Sequence, residues 1–134
     1  MKSEPKICDL AGALCRMNGD FEVLAGLAEL FREDAPAYLS RLQAAAVNRD
    51  PAGVLHAAHS LKGLVSNFGA DAASLAATRM EELARSGDVS TVAESIQALE
   101  NEVSRLAHEL SVELPRQRDA ARSPTSILPS GENG

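Results

Sequence analysis

Aromatic side chains, sulfur and positive charge are all scarce in this chain. Its 134 residues hold no tryptophan, one tyrosine and three phenylalanines, only 3% aromatic. Base-stacking surfaces for nucleic acid are built from aromatic rings, so that use is disfavoured. β-Branched and aromatic residues are few beside alanine and leucine, which argues against a sheet sandwich. There are two cysteines, Cys8 and Cys15. On a shared helix they stand about 10.5 Å apart along the axis, too far for a disulfide. They are expected to be small buried thiols in a reducing compartment. Lys and Arg number 13 against 19 Asp and Glu, a net charge of −6. A nucleic-acid binder needs a basic face to neutralise phosphates, and a polybasic anchor needs a basic cluster to hold a membrane. No apolar run approaches the roughly 18 residues that span a bilayer. The polar start, Met1 to Lys6, leads into no signal-type apolar stretch. The expectation is a cytoplasmic protein with neither nucleic acid nor membrane among its partners.

What is present is helical periodicity. Hydrophobic residues make up 45% of the chain, enough for one core in a domain of this size. Asp9 is placed to cap a short helix through Leu10, Ala13, Leu14 and Met17, ended by Asn18-Gly19. Asp20 caps a longer pattern in which Val23, Leu24, Leu27, Leu30, Phe31, Tyr38, Leu39, Leu42 and Ala46 recur at three- and four-residue steps. Pro36 lies inside it and predicts one kinked helix, or a restart capped by Asp34. Asp50-Pro51 opens a third helix running to about Phe68, with Gly69 as the turn. Asp71 begins a fourth, carrying Leu75, Ala76, Met80 and Leu83, which Ser86-Gly87 stops. Asp88 or Ser90 opens a fifth, with Val92, Ile96, Leu99, Val103, Leu106 and Leu110 in register, and Leu114-Pro115 ends it. Short connections make consecutive long helices antiparallel neighbours. The pattern therefore predicts an all-α, up-down four-helix bundle over residues 7–114, with a short extra N-terminal helix. Residues 115–134, with three prolines and no periodicity, are expected to be a disordered tail.

Motifs for the common enzyme chemistries are missing. There is no glycine-rich phosphate loop followed by Lys-Ser/Thr, no Gly-x-Ser-x-Gly elbow and no His-Glu-x-x-His. Acidic residues are spread along the helices and are expected to form solvated faces. One segment differs, Leu55 to Ala70 in the third helix. At 100° per residue Val54, Ala58, Leu61, Val65 and Phe68 fall on one side, the core side. Leu55, Lys62, Gly63 and Ser66 fall within about 60° of His59 on the opposite side. His59 is thus centred on the exposed face and is not a satisfied core histidine. Lys62, three residues on, shares that face. A cation beside an imidazole does nothing for a structural helix but supplies a counter-charge for a transferred phosphoryl group. Gly63 costs a helix interior about 1 kcal/mol relative to alanine, a cost that makes sense where a partner surface must come close. Leu55 is an apolar residue on the same face and a candidate docking contact.

The run His59-x-Leu61-Lys62-Gly63, followed by Gly69-Ala70, resembles the signature of histidine-containing phosphotransfer (HPt) domains of bacterial multistep phosphorelays. Leu30-Phe31-x-x-Asp34-Ala35-Pro36 and Glu81-Glu82-Leu83-Ala84-Arg85-x-Gly87-Asp88 are similar to that family's flanking helices. The resemblance covers roughly residues 9–112. It implies a phosphocarrier without kinase activity, which accepts a phosphoryl group on His59 from a receiver-domain aspartate, or through a histidine kinase relay, and passes it to another receiver. His59 would be acceptor and donor, Lys62 would balance phosphoryl charge and Gly63 would give clearance. Leu55, His56 and Ser66 are candidates for the receiver-facing rim. The implied partners are response-regulator receiver domains and a sensor histidine kinase. No cofactor is expected on this chain, since the resemblance puts Mg²⁺ on the receiver.

Two other readings use the same residues. His56 and His59, three apart, could share a metal with a carboxylate from another helix, although metal-binding bundles aim such pairs inward. A helical interaction adaptor would carry the His-Lys pair incidentally.

Overall fold

The computed structural model describes residues 7–87 and 91–132, with side chains described through Ala120. Five helices follow one another: α1 (Leu10–Arg16), α2 (Phe21–Val47), α3 (Pro51–Ser66), α4 (Asp71–Ser86) and α5 (Val92–Glu132). Three start where an aspartate supplies a side-chain oxygen to otherwise unpaired N–H groups. Asp9 accepts from Gly12, Asp20 from Glu22 and Val23, and Asp50 from Gly53. Gly87 ends α4 in the left-handed conformation, φ +80°. Asp88 and Ser90, the expected caps of the fifth helix, lie outside the described residues.

Each long helix packs on two others: α2 on α3, α3 on α4, α4 on α5, and α5 back on α2. With short turns between them, this closes an up-down four-helix bundle. Its centre is filled by Leu24, Phe31 and Leu42 of α2, Leu61 and Val65 of α3, Met80 of α4, and Leu99 and Leu106 of α5. Phe31 meets Phe68 edge to face, with ring centroids 5.8 Å apart. α1 lies against α5 and α2. The segment before it is tied to the α3–α4 turn by a hydrogen bond from the Asp9 N–H to the Phe68 carbonyl, 2.8 Å. Gly69 in that turn has φ +64°, and a Cβ there would stand 3.0 Å from the Asp9 Cβ. Both the backbone and the close approach call for glycine.

Pro36 lies inside a single α2 that is continuous around it, as the first of the two readings has it, without a restart at Asp34. Three expectations are corrected. Cys8 is buried, but Cys15 is exposed. The buried side of α1 is Leu10 and Ala13, and a residue two past Ala13 points about 200° around the helix. Leu75 is exposed, because α4 buries its Ala73, Ala77, Met80 and Ala84 side instead. Finally, α5 does not stop at Leu114-Pro115; its backbone stays helical to Glu132. A proline forfeits one hydrogen bond and crowds the preceding turn without always ending the helix. Arg116 pairs with Glu113 across Pro115 at 2.9 Å. Among residues with described side chains, Leu114 is the last that packs against the core. No helix among the described residues is long and apolar enough to cross a membrane.

Candidate functional site

The middle of α3 presents its polar face beside α4. Val54, Ala58, Leu61 and Val65 are buried, as the helical wheel requires, and His59 projects to the other side with its side chain 72% exposed. Lys62 is one turn further along and 32% exposed. Between them lies Glu81 of α4, which is 1% exposed. Its two carboxylate oxygens are divided between the two α3 residues. Oε2 is 2.8 Å from the His59 Nδ1, and Oε1 accepts from the Lys62 Nζ at 2.6 Å.

Burial pushes the Glu81 carboxyl up, but the hydrogen bonds from Lys62 and His59 and their positive charge outweigh it and hold the group below its ordinary value. Glu81 is therefore an ionised carboxylate, which accepts hydrogen bonds and donates none. The proton in the His59–Glu81 contact belongs to Nδ1. In the neutral imidazole the lone pair is then on Nε2, the nitrogen that Glu81 does not hold. The carboxylate thus sets both the ring's orientation and its tautomer.

Lys62 does more than stand beside the histidine. It is the main cation compensating a buried carboxylate, and removing one partner of such a pair leaves the other stranded. Lys62→Met is expected to destabilise the fold by about 1–3 kcal/mol at neutral pH. Adding Glu81→Gln should recover most of that loss, since no buried charge then remains. Urea unfolding of the two single variants and the double variant measures the coupling; strict additivity would show that the pair is not coupled.

Gly63 is exposed, and a Cβ built on it meets nothing within 4 Å. Nothing in the chain itself requires glycine there. Ser66 is exposed; its hydroxyl donates to the Lys62 carbonyl at 2.6 Å and lies 3.3 Å from the Ser74 hydroxyl. Leu55 is half-buried and packs partly on the core, so it is less free than its wheel position implies. Leu55 and the exposed His56 line a concavity of about 320 Å³ with Ala52, His59 and Arg85. Among the described residues, no three His, Cys, Asp or Glu side chains form a group that could hold a metal ion.

Pattern reading misses Glu81, which it places with the solvated acids, although the residue sits between Ala77 and Ala84 in the buried stripe of α4. A carboxylate in an apolar stripe must find cations.

Residues 26–109, which contain the whole His59–Lys62–Glu81 constellation, match the family model of the Hpt domain. The chain belongs to that family. Among solved structures it is similar to histidine-containing phosphotransfer protein B (HptB) from Pseudomonas aeruginosa PAO1. The two are 26% identical and superpose with a TM-score of 0.75, over 84% of this chain and 98% of that one. No curated protein matches the chain in sequence. As an Hpt protein it is a histidine phosphotransfer protein of two-component signalling, and the proteins of that family are phosphocarriers. The Hpt match begins inside α2 and ends inside α5, so α1 and the far part of α5 lie outside the matched residues.

Proposed function

We propose that His59 is the phosphoacceptor of a cytoplasmic phosphorelay carrier, taking a phosphoryl group from the aspartyl phosphate of one receiver domain and delivering it to the aspartate of another. The observation that carries this reading is the exposed imidazole whose Nδ1 is held by a buried, ionised Glu81. Such a ring is already turned and in the right tautomer to attack through Nε2.

In the forward step the Nε2 lone pair attacks phosphorus in line. The Nε2–P bond forms as the bond from phosphorus to the aspartyl oxygen breaks, and the electron pair leaves on the receiver carboxylate. The ring keeps its Nδ1 proton and becomes cationic, with the Glu81 carboxylate 2.8 Å away to balance that charge. Delivery is the reverse: a carboxylate oxygen of the next receiver attacks phosphorus and the Nε2–P pair returns to the ring. Positioning and charge carry most of such a transfer. Mg²⁺ and the aspartate belong to the receiver, so this chain needs no metal of its own. A sensor histidine kinase stands upstream and supplies the phosphoryl group to the relay. Lys62 holds Glu81 ionised and adds positive charge at the face. Gly63, with open space above it, lets the receiver approach; Leu55, His56 and Ser66 form the rim it meets.

The test is transfer from a panel of ³²P-labelled receiver domains, scored as acid-labile, base-stable label on this protein. Label from at least one receiver is the expected result. A folded protein that no receiver labels, and that phosphoramidate also fails to label, would overturn the reading, because the small donor needs a competent His59 and no partner.

A further inference from the structure

The end of α2 departs from what a helix terminus needs. Val47, its last residue, is 81% exposed, the most exposed of the large apolar side chains described. A helix C-terminus favours a cation, yet the last turn of α2 holds none. A β-branched residue is also a weak helix former. Two residues on, Arg49 takes the left-handed conformation, φ +53°, which glycine and asparagine adopt more readily. Its guanidinium makes no ion pair or hydrogen bond among the described residues. Val47 and Arg49 line a cavity of about 490 Å³ between the end of α2 and the first turns of α5. Val92 and Ile96 of α5 form its buried apolar floor. Glu100, one turn past Ile96, lines it too; its carboxylate accepts from the Gln43 amide and pairs with no cation among the described residues. A projecting apolar side chain thus stands beside an apolar hollow, and a cation stands on the same patch as a carboxylate that it does not meet.

We propose that this patch is self-complementary and joins two copies of this chain about a two-fold axis. Val47 of each copy enters the hollow of the other, and Arg49 of each meets Glu100 of the other. A two-fold contact uses the same patch on both copies, so one unlike-charged couple on the patch becomes two ion pairs across it. The small hollow makes this a weak, concentration-dependent dimer. α3 and α5 each pack on α2 and α4, so they stand diagonally across the bundle. The flank between α2 and α5 is therefore turned away from the exposed face of α3, and both His59 rings stay open in the dimer. The inference does not depend on the role of His59.

Sedimentation velocity of the full chain from about 10 µM to about 1 mM covers the range of weak interfaces. The wild type should pass from monomer toward dimer across it. Val47→Lys should weaken association about 100-fold, because each hollow then loses its apolar occupant and gains a charge. Lysine suits a helix C-terminus, so the fold is kept, which helical circular dichroism checks. Arg49→Glu and Glu100→Arg should each weaken association about tenfold, since like charges then face one another. An equimolar mixture of those two variants should regain the wild-type strength, because both pairs of the mixed dimer are again of opposite charge. A wild type that stays monomeric at the top of the range would overturn the proposal. So would a dimer that Val47→Lys leaves intact, or a mixture that associates no better than its components. A monomer in which Val47→Lys slows uptake from a phosphorylated receiver would give this patch to the receiver and overturn the dimer.

Discussion

His59→Gln is expected to abolish phosphate uptake, a loss of about 10³-fold or more, the scale seen when a nucleophile is removed from a positioned site. The fold should be unaffected. The His59 side chain is 72% exposed, and surface substitutions of this kind usually change stability by only about 0.5 kcal/mol or less. Glutamine can still hydrogen-bond to the Glu81 carboxylate, so the buried charge keeps both α3 partners. Label scored with phosphoramidate as donor, beside the helical circular dichroism and melting temperature of the same sample, measures both halves. Residual label would put the phosphoryl group on another residue, His56 first. Loss of the helical signal would make His59 a structural residue.

Glu81→Gln should slow transfer by about 10–100-fold without moving the label from His59, the range found when a partner that orients a histidine is removed. The amide has nearly the same shape but carries no charge, and it can donate as well as accept. It can therefore hold the ring in the opposite tautomer, with the proton on Nε2, and it no longer balances the cationic ring formed as the N–P bond closes. Rapid-quench kinetics with a cognate phosphorylated receiver reads this directly. An unchanged rate would reduce Glu81 to a structural role.

The same variant has a signature in acid. The Glu81 carboxyl in the folded protein lies below its ordinary value of 4.5. A group depressed on folding stabilises the native state fully above its unfolded pKa, and that contribution fades as pH falls through the folded value. Wild-type stability should therefore drop below about pH 4.5 more steeply than that of Glu81→Gln. Urea midpoints between pH 7 and pH 3 compare the two.

Much of this arrangement is legible in the residues because it depends on local chemistry. Asp9, Asp20 and Asp50 cap helices by reaching N–H groups two or three residues away. The exposure of His59 follows from the positions of Val54, Ala58, Leu61 and Val65 around one helix. What stayed hidden is non-local. Glu81 is 22 residues from His59, and only the packing of α4 on α3 brings the two together. The role of Lys62 changed for the same reason: its partner sits on another helix. Pro115 shows a different limit. A proline's local cost is fixed, but whether a helix continues past it depends on what the following turn gains.

The central claim is that a buried carboxylate holds His59 with its proton on Nδ1 and its lone pair on Nε2, ready to form the N–P bond. The most direct test is long-range ¹H–¹⁵N NMR of the histidine rings before and after loading with phosphoramidate. The expected spectra show a neutral His59 ring protonated at Nδ1, then a phosphohistidine bonded through Nε2. A ring protonated at Nε2 in the free protein, or phosphate attached at Nδ1, would contradict it.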